Sequence, residues 1–182
     1  NGAFHPKILM GVGKNNGFLA IGSGNLTHSG LSSNDEVWGA FHTYKSESKA
    51  LPIFHSTFEY LKNLKPFSYG YNAKKWDWLL KNSQWLAELS NSKKDIAVTN
   101  TNDEILLLKS FADASIYEQL LDSLPNSKLK NITIISPYFN KRGDLILNFI
   151  EDLNPDSIDV IVDSNFGTIP HQFAQDKRVK FH

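Results

Sequence analysis

The sequence contains no cysteine and a single methionine among its 182 residues. The lack of cysteine excludes disulfides, thiol nucleophiles and thiolate ligands for zinc. The sequence also lacks an apolar run near the roughly 18–20 residues that a membrane-spanning helix needs, and it has no basic-then-apolar segment typical of a secretory signal. These absences predict a protein of a reducing compartment, by default the cytoplasm, that does not insert into membranes.

An excess of charge of one sign is also missing, because 19 basic residues balance 19 acidic ones. A uniformly basic surface for nucleic acid is therefore excluded. The charges are nevertheless unevenly distributed: residues 44–94 hold nine basic and four acidic residues, whereas residues 95–182 hold eight and thirteen. Any electrostatic contact with nucleic acid is expected in the middle segment.

The chain is 41% apolar and 12% aromatic, which is enough for one compact domain or two small ones. Alternating apolar residues predict strands at 4–10, 18–22 and 36–44, the first two joined by a turn rich in Gly and Asn at 11–17. Helical spacing predicts helices over 49–64 and 73–89. A strand pair with its turn at 100–103 is expected after them.

In the last third, predicted helices and strands alternate. Helices are expected at 113–124 and 143–153, and strands at 131–138, 157–164 and 178–181. Strands separated by helices of this length favour an α/β fold, with a mixed or mostly parallel sheet flanked by helices.

Three short polar motifs lie within or at the ends of the first three predicted strands. The motifs are His5-Pro6-Lys7, then Gly22-Ser23-Gly24-Asn25, then Asn34-Asp35-Glu36. Alternation places His5 and Lys7 on one face of a strand, and Ser23 and Asn25 leave the end of its neighbour, so these four side chains are expected to converge. Cleavage of a phosphodiester needs such a set: a nucleophile, a fixed positive charge and neutral hydrogen-bond donors.

The three motifs together resemble those of the phospholipase D superfamily: His-x-Lys, Gly-Ser-x-Asn and Asn-x-Glu. The resemblance implies cleavage without a metal or cofactor, through a phosphohistidine, with a second His-x-Lys motif protonating the leaving group. By position, His5 is nucleophile or general acid, Lys7 and Asn25 clamp the phosphate, and Ser23 assists them. Glu36 is expected to fix the tautomer of an imidazole.

One position departs from the family pattern, because the Asp often found five residues after the Lys is Val12 here. Tyrosyl-DNA-phosphodiesterase-like members also lack that Asp, which favours a nucleic-acid substrate. Loop residues Gly24, Thr27 and His28 are candidate substrate contacts.

The predicted helix over 73–89 has two interpretations. Its lysines (Lys74, Lys75 and Lys81) alternate with tryptophans, a combination that suits a nucleic-acid backbone and its bases. Alternatively, a stripe of apolar residues (Trp76, Leu79, Leu80 and Leu86) faces the core and the lysines face solvent. His42 and His55 are interpreted as structural.

Superfamily members usually contain two similar repeats, and the chain resembles parts of both. Residues 1–44 resemble the end of a first repeat, residues 130–182 resemble the start of a second, and residues 45–129 connect them. With a single His-x-Lys, the chain is expected to be inactive alone, and to need a second motif from a longer polypeptide or a homodimer mate.

Three functions stay open at this point. The leading one is a phosphodiesterase acting on DNA or RNA, such as a nuclease module of a restriction, repair or helicase-linked protein. The alternatives are hydrolysis or transfer of phospholipids, and a non-catalytic module that binds phosphate or nucleic acid.

Overall fold

The structure is a computed structural model of the whole chain. It describes residues 5–44, 49–63, 70–88, 96–98, 104–110, 114–124, 128–163, 165, 167–173 and 175–182. The chain divides into two compact units, Asn1–Leu121 and Asp122–His182.

The first unit begins with a three-stranded antiparallel sheet. Its strands are adjacent in the order of the chain: β1 (Lys7–Val12), β2 (Asn16–Gly22) and β3 (Trp38–Tyr44). A short helix, α1 (His28–Ser32), lies in the connection between β2 and β3. The meander predicted from alternating apolar residues is confirmed.

The first strand starts later than the sequence predicted. The predicted strand at 4–10 began at Phe4, which lies outside the described residues, whereas β1 starts at Lys7. Pro6 has no backbone N–H to donate, so it marks where the ladder stops. At the other end the ladder continues through Val12, and the turn closes with a hydrogen bond from Gly13 N to Asn16 O of 2.8 Å.

Three helices follow the sheet. The predicted helix over 49–64 is observed as α2 (Leu51–Lys62). The single helix predicted over 73–89 is wrong, because the chain forms α3 (Tyr71–Asn82) and α4 (Gln84–Glu88) with a break at Ser83. Ser83 has φ −135° and ψ 60°, outside the helical region, and its hydroxyl donates to Gly13 O at 3.2 Å. A contact made 70 residues away therefore breaks a helix that local spacing favoured.

One face of the sheet packs on these helices and forms the core of the first unit. Its fully buried members are Leu19, Leu51, Ile53, Phe54, Phe58, Trp85 and Leu86. The core stripe predicted for residues 73–89 is confirmed, since Leu86 is buried and Trp76, Leu79 and Leu80 pack against this cluster. The other face of the sheet presents exposed apolar side chains, among them Leu9 and Phe18.

The first unit also contains an antiparallel pair, β4 (Ile96–Val98) and β5 (Glu104–Leu106), which confirms the predicted strand pair. Its predicted turn at 100–103 lies outside the described residues. Helix α5 (Ile116–Ser123) follows.

The second unit has a parallel sheet with the strand order β6 (Asn131–Ile135), β7 (Ser157–Ile161) and β8 (Val179–Phe181). Helix α6 (Asp144–Leu153) connects β6 to β7, and a 3₁₀ helix (His171–Phe173) precedes β8. The strand–helix–strand order and the parallel pairing predicted for the last third are confirmed.

Helix α6 starts at a glycine whose backbone is left-handed. Gly143 has φ 56°, and a Cβ there would lie 2.6 Å from the Phe173 ring and 2.8 Å from Pro170. Asn140 closes the start of the helix, because its Oδ1 accepts from Asp144 N at 3.0 Å. Both the positive φ and the close packing require glycine at this position.

The structure therefore has the mixed α/β character that the sequence predicted, with the strands in three small sheets. None of the described helices has the length and apolar character needed to cross a membrane.

Candidate functional site

The three sequence motifs meet at one end of the first sheet. The ladder pairs Lys7 with Gly22, and Gly22 with Trp38. Because both pairings are antiparallel, the start of β1, the end of β2 and the start of β3 lie side by side. Lys7, Gly22 and Trp38 are therefore adjacent, and the segments that carry the three motifs lie at the same end of the sheet.

His5 and Lys7 are in direct contact at this end. The ammonium of Lys7 hydrogen-bonds Nδ1 of the His5 imidazole and lies 3.2 Å from both Nε2 and the His5 carbonyl oxygen. His5 is exposed and precedes the strand, whereas Lys7 is half-buried as its first residue. The pair thus places an imidazole ring and an ammonium group at the same point.

Ser23 and Glu36 form a hydrogen-bonded corner beside this pair. The Ser23 hydroxyl donates to Glu36 Oε2 at 2.5 Å and accepts from Val37 N at 3.1 Å. Asn34 Nδ2 donates to the other carboxylate oxygen at 3.4 Å. Glu36 was predicted to hold an imidazole, and in the structure its carboxylate instead holds Ser23 and Asn34.

Glycines allow the corner to close around Trp38. A Cβ on Gly22 would lie 2.5 Å from the Trp38 ring, and a Cβ on Gly24 would lie 3.0 Å from the Trp38 Nε1 atom and 2.6 Å from the Gly30 carbonyl oxygen. Gly24, a candidate substrate contact, is buried by its own chain. The sequence predicts Trp38 only as a residue of the third strand, and no local pattern indicates that its ring packs over Gly22 and Gly24.

The remaining loop residues lie on the surface. Asn25 is exposed, and its backbone carbonyl accepts from Thr27 N at 2.8 Å. Thr27 caps α1, since its hydroxyl accepts from Gly30 N at 3.2 Å, and His28 Nδ1 lies 3.3 Å from the Ser32 hydroxyl. Asn25, Thr27 and His28 are therefore accessible. Ser23 and Asn25 do not line the cleft that contains His5 and Lys7, so the predicted convergence of these four side chains on one cleft is not observed.

That cleft has a volume of about 570 Å³. It extends from the start of β1 past Ile21 and Gly22 to Tyr60 on α2 and to residues 107–110. Its described lining includes two basic residues, Lys7 and Lys109, and contains no carboxylate. An anion is the ligand that this charge distribution favours.

Tyr60, Lys109 and Ser110 are cleft residues that sequence reasoning missed. The backbone of Lys109 is fixed to α5 by a reciprocal pair of bonds, from Lys109 N to Gln119 Oε1 at 3.2 Å and from Gln119 Nε2 to Lys109 O at 2.6 Å. Its ammonium donates to the buried Ser56 hydroxyl at 2.7 Å. These residues come from distant segments, so no local motif could have grouped them with His5.

The three lysines predicted to contact substrate, Lys74, Lys75 and Lys81, are exposed on α3. None of them lines the cleft at His5. Within the described part of the chain, no group of three or more His, Asp or Glu side chains is arranged to hold a metal ion. No protein-family model, curated protein or solved structure matches the chain.

Proposed function

We propose that the chain supplies one half of a metal-independent phosphodiesterase site that acts on nucleic acid, as a nuclease module. The observation that carries the proposal is the contact of His5 with Lys7 at the mouth of a cleft whose lining includes a second lysine. The resemblance of the three motifs to the phospholipase D superfamily, with its two repeats, supports the same conclusion.

In the proposed reaction an unprotonated nitrogen of His5 attacks phosphorus while the bond from phosphorus to the leaving oxygen breaks. The leaving oxygen takes a proton from a second histidine, which belongs to another copy of the motif, in a longer polypeptide or in a homodimer. Water then gives a proton to the second histidine and attacks the phosphorus of the phosphohistidine, so the bond from phosphorus to His5 breaks, the phosphate product is released and both histidines return to their starting states. Covalent catalysis of this kind divides one difficult displacement into two.

Lys7 and Asn25 stabilise the charge that develops on the non-bridging oxygens. Lys7 already lies beside the imidazole, so it needs little rearrangement to contact a phosphate bound there. The exposed amide of Asn25 is carried by the loop that the Ser23–Glu36 bond holds against the sheet. Ser23 and Glu36 therefore act as positioning residues for this loop.

Nucleic acid is the preferred substrate because the exposed lysines of α3 add positive charge to the same unit. A polyanion gains from several such charges, and the affinity then falls as salt rises.

Cleavage of a labelled single-stranded oligonucleotide in EDTA tests the proposal, in the chain at high concentration and in the longest polypeptide that contains it. Activity should survive EDTA and disappear in His5→Ala, while His171→Ala, purified identically, should keep it. An alkali-stable, acid-labile phosphohistidine should be recovered from quenched reactions. Activity lost in EDTA and restored by magnesium would contradict the mechanism.

A second measurement needs no second histidine. Titration of the chain with tungstate, a phosphate mimic, by calorimetry should show binding that Lys7→Ala abolishes. The matched control is Lys74→Ala, which removes an exposed lysine outside the cleft. Binding that persists unchanged in Lys7→Ala would remove Lys7 from the phosphate site. Binding without any cleavage would favour the non-catalytic module instead.

A further inference from the structure

A second cleft, of about 610 Å³, lies at the other end of β1. The turn after β1 forms one wall, with Lys14 and Asn15, and the junction between α3 and α4 forms the other, with Trp78, Lys81 and Asn82. None of these residues contributes to the cleft at His5.

Hydrogen bonds hold the two walls of this cleft together. The carbonyl oxygen of Gly13 accepts from the Ser83 hydroxyl at 3.2 Å and from the Trp85 indole at 3.0 Å. Trp85 is buried in the core, and Asn82 Nδ2 donates to the Trp78 carbonyl at 2.7 Å. The cleft is therefore fixed to the core and not shaped by loose side chains.

Trp78 is the unusual residue in this cleft. Its side chain is 61% exposed, although the neighbouring Trp85 is only 7% exposed. Lys14 and Lys81 line the cleft beside Trp78, and among the described residues neither lies within ion-pairing distance of a carboxylate. An exposed indole between unpaired ammonium groups provides a stacking surface for a base and partners for its phosphates.

An apolar depression of about 260 Å³ lies along β1 next to this second cleft. It is lined by Met10, Val12, Phe58 and Leu61, and it shares Trp78 and Val12 with the second cleft. Successive residues of β1 line the three depressions, Lys7 and Ile8 the cleft at His5, Met10 and Val12 the apolar depression, and Val12 the cleft at Trp78. Lys7 and Val12 are about 17 Å apart along the strand, the rise of about five stacked nucleotides.

We infer that the cleft at Trp78 binds a base of single-stranded nucleic acid, with Lys14 and Lys81 on the flanking phosphates, and that the strand continues along β1 towards His5. Single strands fit because a base must be unpaired to place its face on an indole. The inference extends the proposed function by naming the form of its substrate, but binding at Trp78 does not require that His5 react.

Fluorescence anisotropy with a labelled oligothymidine of about ten nucleotides tests the inference, since single-strand sites typically span about 4–16 nucleotides. All proteins in this assay carry His5→Ala, so that cleavage of the oligonucleotide cannot change the measured anisotropy. Trp78→Ala should weaken binding roughly 5- to 150-fold, the equivalent of one lost base stack, whereas Trp78→Phe should retain most of it. Trp78 is exposed, so these variants should fold, and circular dichroism would check this.

A charge-matched pair of variants tests the two lysines. Lys14→Gln with Lys81→Gln should lower both the affinity and its dependence on salt, whereas Lys141→Gln with Lys177→Gln, which are exposed and lie outside α3, should change them little. Equal losses of affinity in both pairs would show that only the net charge of the protein matters, and would overturn the site. Unchanged affinity in Trp78→Ala, or tighter binding of a duplex of equal length, would overturn the single-strand assignment. Failure of catalysis alone would leave these results unaffected and would count only against the proposed reaction.

Discussion

Substitution of Gly17 by alanine is the sharpest test of how the first sheet packs on its helices. A Cβ on Gly17 would lie 2.7 Å from Phe54 Cε1 and 2.9 Å from Trp85 Cη2. Carbon atoms pack best about 3.5–4.0 Å apart, so these rings would have to move by roughly 1 Å. Phe54 is completely buried and meets Trp85 edge to face, with ring centroids 5.9 Å apart, so neither ring has space to move away.

Overpacking of this kind typically costs about 1–3 kcal/mol. The melting temperature should therefore fall by about 2–12 °C, and the urea midpoint should fall with it. Gly11→Ala is the matched control, because it lies in the same hairpin and a Cβ there meets nothing within 4 Å. That variant should change the stability by at most about 1 kcal/mol.

Equal melting temperatures for Gly17→Ala and the parent protein would refute this packing. This result would also count against the Trp78 cleft, because Trp85 joins the turn at Gly13 to the junction between α3 and α4. A large loss in Gly11→Ala would be equally damaging, since it would mean that the outer face of the sheet is covered.

Three further predictions concern catalysis, buried polarity and pH. Lys7→Ala and Asn25→Ala should each lower the cleavage rate by about a hundredfold to a thousandfold while changing stability by less than about 1 kcal/mol; parallel losses of activity and of melting temperature would make them structural residues. Thr57→Val should leave stability unchanged or raise it by up to about 2 kcal/mol in urea unfolding, because the buried Thr57 hydroxyl has no hydrogen-bond partner among the described residues; a clear loss would show that the hydroxyl is satisfied. Hydrogen bonds from Arg178 hold the pKa of Asp176 below its ordinary value, so this carboxylate should stabilise the fold above about pH 4 and lose that contribution as the pH falls through its lowered pKa. Melting curves between neutral pH and about pH 3 should accordingly fall less steeply for Asp176→Asn than for the parent protein.

Much of the fold could be predicted from local sequence, because in most segments the residue pattern favours the same helix or strand that the structure contains. Alternating apolar residues with a Gly- and Asn-rich turn predicted the meander, and strands separated by a helix predicted the parallel sheet. The break at Ser83 could not be predicted in this way. It depends on a hydrogen bond to Gly13, and helical spacing extends across it without interruption.

The residues of the candidate site could likewise be predicted only in part. His5, Lys7, Ser23 and Glu36 were found because they lie in motifs whose spacing matches the end of a hairpin. The sequence could not identify Tyr60 and Lys109, since they reach the cleft only after α2 and α5 are in place. The exposure of Trp78 was also missed, because a helix rich in apolar residues does not reveal which of its tryptophans the core will leave out.

The register in which β1 pairs with β2 also determines on which face of the sheet Lys7 lies. Six residue pairs join these strands, and they alternate between Ile8, Met10 and Val12 on the core side and Lys7 and Leu9 on the outer side. A slip of one residue would turn the Lys7 ammonium into the core and expose three apolar side chains, which is a costly exchange. The apolar residues that hold the hairpin together therefore also fix the position of Lys7. A one-residue insertion in the turn at 13–15 should consequently damage the reactive pair from the far end of the strand, without touching either member of it.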